Sequence, residues 1–324
     1  MIPACRRIDS DEARGAPAMR LAVLGPGGVG GLLAGALERS GSEVIVVARD
    51  STVAAIDAHG LRVASVRFGD FVAHPAAVEA LEEPVDALIV ATKAVGLDAA
   101  LGRIAVEPKV VLPLLNGLDH LATLRERFAA GSVLAGAIRV ESDRPAPGEV
   151  VHTSPFLLVD MACIDASFAS AMQQLAGALS HADVPVRVGW PITERTEAQV
   201  MWSKLVRLNA LACTTSAYDK LLGEIRATPP LRADLVGAIE EGSAVARAEG
   251  ADDVDAATAL AELEAAHDTL GSSMQRDIAA GREPELDAIP GSVLRAAARH
   301  GLRCPTIERL VAVIAAKVGA GDPV

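Results

Sequence analysis

The first ordered pattern along the chain is a short run, Arg20 to Leu24, that is apolar after its first residue and is closed by Gly25. Such a run reads as a strand buried on both faces. Apolar positions then recur at helical spacing from about Val29 to Ser40, and Gly41 follows as a C-cap. Glu43 to Ala48 (EVIVVA) is a second β-branched run, which completes a βαβ unit of ordinary length. Further strands are predicted at Ala87 to Ala91, Val110 to Leu114, Val133 to Ile138 and Val150 to His152, with helical stretches between them. This alternation predicts an α/β architecture built on a doubly wound parallel sheet of the Rossmann type.

Beyond Gly189, Trp190 and Pro191 the texture changes, and from Thr193 onward the chain reads as alanine- and leucine-rich helices without convincing strands. The expected division is an extension over residues 1–18, expected to be disordered, a dinucleotide-binding domain over 19–192 and a helical domain over 193–324. A chain of 324 residues with 51% hydrophobic content has material for two cores. The net charge of −12 and the lack of a basic run argue against a nucleic-acid partner and leave small molecules as the expected ligands. Cys5, Cys163, Cys213 and Cys304 are far apart and form no metal-like spacing with the scattered histidines, so they read as buried or idle thiols and no metal is expected. The uncharged stretch from Leu21 to Leu37 is broken by Pro26 and by glycines, which makes it a poor membrane span. Arg6 and Arg7 are followed by charged residues where a signal peptide needs an apolar stretch. The expected location is the cytoplasm, and the expected assembly is a monomer or a homodimer.

The chemistry begins at Gly25-Pro26-Gly27-Gly28-Val29-Gly30, which matches G-x-G-x-x-G between a predicted strand and a predicted helix. Gly25 permits the tight turn, Gly27 lets backbone approach a pyrophosphate, and Gly30 allows close helix packing, while the helix N-terminus faces the phosphate charge. At the end of the second strand, where NAD enzymes place an acid for the ribose hydroxyl, this chain has Arg49. A guanidinium there suits a 2′-phosphate, so NADP (NADPH) is the expected cofactor.

From this point the sequence resembles the ketopantoate reductase (2-dehydropantoate 2-reductase) family, from Met19 to about Ala315. Ala91-Thr92-Lys93 is similar to the family's T-K pair, whose lysine faces the cofactor, and Leu115-Asn116-Gly117 is similar to its Q-N-G or H-N-G turn. Gly148 with His152 resembles a structural segment of the family. Trp202-Ser203-Lys204-Leu205 resembles the W-x-K-L that carries the family's catalytic lysine, and Ser272-Ser273-Met274 through Asp277 to Glu285 resembles a further family signature. The resemblance implies a helical domain of the 6-phosphogluconate dehydrogenase C-terminal-like type. It also implies reduction of 2-dehydropantoate to (R)-pantoate by NADPH, a step in pantothenate and coenzyme A biosynthesis. Lys204 is then the catalytic acid, Asn116, Ser273 and Glu285 bind substrate, and Lys93 and Asn116 meet the cofactor.

Elementary chemistry agrees with that assignment. Reduction of a 2-keto acid leaves an alkoxide that needs a proton, and a lysine ammonium can polarise the carbonyl before protonating it. Burial lowers a lysine pKa, whereas a carboxylate such as Glu285 raises it. Met201, Leu205, Leu208 and Ala212 form an apolar stripe about Lys204, an unusual setting for a solvated lysine. The chain departs from the family where asparagines are common, having Leu208, Ala212 and Leu270; Asn209 points about 100° away from the missing amide on a helix. Those departures open the substrate to other branched or bulkier 2-keto acids, with Arg207 as an alternative carboxylate anchor. A same-fold reductase of a different keto acid or imine, and a non-catalytic NADP-binding sensor, are the competing readings.

Overall fold

The computed structural model describes residues 19–319, so the expectations for residues 1–18 and for Cys5 lie outside the described residues. The strands run β1 (Arg20–Leu24), β2 (Glu43–Val47), β3 (Leu61–Ser65), β4 (Phe71–Ala73), β5 (Ala76–Val78) and β6 (Ala87–Val90). They continue as β7 (Val110–Pro113), β8 (Ala135–Arg139), β9 (Ser142–Asp143), β10 (Glu149–His152), β11 (Leu158–Ala162) and β12 (Val186–Val188). Helices α1 (Gly28–Arg39), α2 (Asp50–His59), α3 (Leu97–Leu101), α4 (His120–Arg127) and α5 (Ala169–His181) lie among them.

The main sheet has the order β5-β2-β1-β6-β7, and its pairings are all parallel. Its inner strand β1 and neighbouring β6 and β7 are buried on both faces, which is why they read as unbroken apolar runs. Strand order reverses at β1, so the loops after β1 and β6 part at the carboxyl edge and open a crevice between them. Two predicted strands do not join this sheet. The segment expected at 133–138 begins with a bond from Leu134 N–H to the Val111 carbonyl (2.9 Å), then becomes β8 in a separate β12-β11-β8 sheet, antiparallel to β11. The segment expected at 150–152 is β10 of a β4-β3-β10-β9 sheet that covers α1. Glycines permit this cover: a Cβ at Gly31 would lie 2.6 Å from a Val150 methyl, and one at Gly35 would lie 3.0 Å from a Val63 methyl.

The second part is helical: α6 (Glu197–Tyr218), α7 (Leu222–Ala227), α8 (Pro229–Ala248), α9 (Ala256–Ala265), α10 (Ser273–Ala279), α11 (Ser292–Arg299) and α12 (Pro305–Val318). A capping box starts α6, with Gln199 N–H donating to Thr196 Oγ1 (3.3 Å) and Thr196 N–H donating to Gln199 Oε1 (2.7 Å). Helices α8 and α12 pack against α6, whose residues are mostly buried. Val200 and Met201 in its first turns belong to the core of the α/β part, whereas Trp202 and Leu205 belong to the helical core. One helix therefore anchors both parts.

Cys163, Cys213 and Cys304 are all buried, and among the described residues none of them is in a disulfide. Burial pushes the Cys213 thiol up to about 12, and burial with nearby Glu241 and Glu308 pushes Cys304 up to about 11, so both remain protonated and inert. Among the described residues no helix is long and apolar enough to cross a membrane.

Candidate active site

The crevice at the carboxyl edge of the parallel sheet widens into a cleft of about 730 Å³, roofed by α6, α9 and the segment around α10. At its sheet end lies the glycine loop. Gly25 adopts φ +85°, and a Cβ there would sit 2.8 Å from the Thr92 methyl. A Cβ at Gly30 would lie 2.3 Å from the Gly25 carbonyl oxygen, whereas one at Gly27 meets nothing within 4 Å. The loop is thus tight where it must turn and open where a pyrophosphate would approach, as a dinucleotide requires. Thr92 Oγ1, buried beside this loop, has no hydrogen-bond partner among the described residues, a further sign that a polar group belongs there. Pro26 sits within the same turn, and Gly28 and Val29 line the cleft. Arg49 is exposed just beyond β2 at the start of α2, and no carboxylate among the described residues pairs with it.

At the floor of the cleft a hydrogen-bonded chain joins the two parts of the molecule. Lys204 Nζ donates to Asn116 Oδ1 (2.8 Å), and Asn116 Nδ2 donates to Glu285 Oε2 (2.9 Å). Glu285 Oε1 also accepts a long bond from the Ala94 backbone (3.4 Å). Asn116 follows β7 and is aimed by the turn at Gly117 (φ +84°), where a Cβ would overlap the Ala288 carbonyl at 2.0 Å. Burial lowers the Lys204 pKa to about 8; Glu285 opposes that shift, and the charges of Arg207 and Arg139 add to it. An amine near neutrality, held by an amide and facing open space, can give or take a proton.

The structure brings Lys204, Asn116, Glu285, Ser273 and Lys93 around one cleft. Ser272, not Ser273, is the N-cap of α10: its Oγ accepts from Gln275 N–H (3.0 Å) and from Thr215 Oγ1 (2.8 Å), which leaves Ser273 lining the cleft. Lys93 Nζ lies 2.6 Å from Asp277 Oδ2, and Arg282 Nε donates to the other oxygen (2.9 Å), so Asp277 holds Lys93 at the seam. Leu208 and Leu270 line the cleft, and Asn209 is fully buried in the helical core, accepting from Cys213 Sγ (3.5 Å), so it does not replace the missing amide. Sequence reasoning missed His120, whose buried ring lies near Lys204 and whose pKa burial lowers to about 4. Its only signal was its place four residues after Asn116. It also missed Arg139 and Glu262, of which Glu262 pairs with both Arg139 and Arg207 in the cleft wall; neither leaves a local pattern.

A Rossmann-type parallel sheet with a glycine loop at its switch point, closed by a helical domain carrying a half-buried lysine in the cleft, defines a class of oxidoreductases. Residues 21–160 match the family model described as ketopantoate reductase PanE/ApbA, and residues 198–318 match the one for its C terminal. The chain belongs to the ketopantoate reductase family. It is 29% identical to the uncharacterized oxidoreductase YkpB of Bacillus subtilis, covering 91% of this chain and 97% of that protein. It is 33% identical over 245 residues to a 2-dehydropantoate 2-reductase of Mycobacterium tuberculosis, covering 72% of this chain and 76% of that protein. A D-mandelate dehydrogenase solved with NADH and anilino(oxo)acetate shares the fold with a TM-score of 0.84 at 22% identity, covering 93% of this chain and 99% of that one.

Proposed function

We propose that this protein reduces a 2-keto acid with NADPH, taking 2-dehydropantoate to (R)-pantoate as the substrate to which its family points. The observation that carries the reading is the Lys204–Asn116–Glu285 chain at the floor of the cleft, with the lysine pKa brought to about 8. When bound, the nicotinamide supplies the hydride. Gly25, Pro26, Gly27, Gly28, Val29 and Gly30 would hold the pyrophosphate, Arg49 would pair with the 2′-phosphate, and Thr92 and Lys93 would meet the cofactor from the loop after β6. Asn116 orients the keto group from the cofactor side, Lys204 polarises its oxygen and then gives it a proton, and Glu285 keeps the amine protonated until that moment. Ser273 donates to the substrate from α10.

The second reading is a 2-keto acid with a larger apolar side chain. It is favoured by Leu208, Leu211 and Leu270 in the cleft wall and by the withdrawal of Asn209 into the core, which removes an amide from α6 that could pair a substrate hydroxyl. The test follows NADPH absorbance with ketopantoate and a panel of branched and aromatic 2-keto acids, with NADH and Lys204→Ala as comparisons. Turnover of ketopantoate that disappears in Lys204→Ala is the expected result. Turnover of bulkier acids alone transfers the assignment to the second reading. Binding of NADPH without reduction of any acid overturns both and leaves a nucleotide sensor.

A further inference from the structure

The cleft wall next to Lys204 holds a charge arrangement larger than its effect on the Lys204 pKa requires. Arg139 stands at the end of β8 and Arg207 one turn beyond Lys204 on α6, and both reach Glu262 on α9. Arg207 Nη1 lies 2.9 Å from Glu262 Oε2. Arg139 Nη1 lies 3.3 Å from each oxygen, longer than a well-formed bond between such charges. Two guanidinium groups thus share one carboxylate, and a net positive charge remains in the wall. Their side chains are only 17% and 25% exposed, against 36% for Glu262, so the arginines are fixed while the acid sits nearer to water. Arg139 Nε is buried with no acceptor among the described residues, a costly arrangement for a charged donor unless a ligand completes it.

All three residues line the same cleft as Lys204 and Asn116. The anion that fits must reach this wall while another of its atoms lies at Lys204. Dinucleotide phosphates are directed to the glycine loop instead. The carboxylate of a 2-keto acid is one bond from the carbonyl that Lys204 faces, and its planar pair of oxygens matches a guanidinium fork.

We propose that Arg139 and Arg207 form a clamp for the substrate carboxylate, with the Glu262 carboxylate occupying it until substrate displaces that side chain toward solvent. The inference rests on the 2-keto acid reading above and adds where the acid group docks. Specificity then has two separable parts: the clamp recognises the carboxylate, and the leucine wall recognises the side chain.

The test compares the best 2-keto acid with its methyl ester, which keeps the carbonyl and loses the charge. Wild type, Arg139→Met, Arg207→Met, Arg207→Lys and Glu262→Gln are assayed, and each is checked for folding by thermal melting. Binding of oxamate, an unreactive 2-keto acid isostere, is measured by calorimetry with NADP+ present. Acid-over-ester selectivity in kcat/KM falls roughly 30-fold or more in either methionine variant, as for truncation of a buried charge pair. Arg207→Lys recovers part of it, and Glu262→Gln tightens oxamate by removing its competitor. Selectivity unchanged in folded Arg207→Met, or oxamate bound no tighter by Glu262→Gln, overturns the clamp while leaving the keto acid reading intact. A wild type that reduces no 2-keto acid overturns the keto acid reading, and the clamp with it.

Discussion

Lys204 gains its chemistry from opposing neighbours. Burial and two arginines push its ammonium toward deprotonation, Glu285 pushes the other way, and the pKa comes to rest near 8. The reduction needs the protonated amine, so kcat/KM in that direction is expected to fall above about pH 8. Replacing Glu285 by Gln removes the charge that favours the ammonium, so the alkaline limb should move to lower pH; a limb that stays in place shows that another group titrates. Lys204→Ala should lower kcat about 10²- to 10⁴-fold, the usual worth of a positioned acid, with little change in NADPH affinity. His120, held neutral above about pH 4 by burial, should contribute no limb in the assay range. Lys204, Asn116 and Glu285 were legible in the sequence because each sits in a short motif beside a glycine, proline or tryptophan. The pairing of Lys93 with Asp277 was not, because it exists only once β6 and α10 are packed together across 184 positions of chain.

The glycine loop and its helix show how an element can be read correctly and still hide its surroundings. The strand, loop and helix from Arg20 to Arg39 follow the expected boundaries closely, yet nothing local announces that Gly28 lies under β9. A Cβ at Gly28 would fall 2.3 Å from the Ser142 carbonyl oxygen, and Ser142 Oγ donates to the Gly28 carbonyl (2.8 Å). Gly28→Ala should therefore displace backbone and destabilise by about 1–3 kcal/mol, visible as a lower Tm. Gly27→Ala meets open space, so it should leave the Tm unchanged and instead weaken NADPH binding; equal melting and equal affinity in both variants contradict the assignment of the loop. Strands β11 and β12 escaped the sequence for a related reason. Asp160 interrupts the apolar run of β11, but it is buried and held by Arg187 of β12 through bonds of 2.5 and 2.7 Å. The partner that makes the acid tolerable is remote in sequence, so the strand reads as a loop. Short β5, only Ala76 to Val78, carries too few residues for any period to show.

At the scale of the molecule the two parts are joined in two physically different ways. Around the cleft the seam is polar, made by Lys93–Asp277, Asn116–Glu285 and Arg139–Glu262, contacts that water can replace when the cleft opens. Behind it the seam is apolar, because Val200 and Met201 leave the helical core and enter the core formed by the sheet. Arg125 supports this end by gripping Glu197 at the start of α6, with Nη1 to Oε1 at 3.0 Å. Opening should therefore pivot near the first turns of α6, and the parts should unfold together. Calorimetry of the wild type is expected to show one transition. Met201→Ala, which leaves a cavity at the junction, should cost about 2–5 kcal/mol and lower that transition by roughly 3–7 °C for a protein of this size. If the wild type instead melts in two separate steps, or Met201→Ala shifts neither, then α6 does not couple the cores, and closure of the cleft must depend on its polar contacts alone.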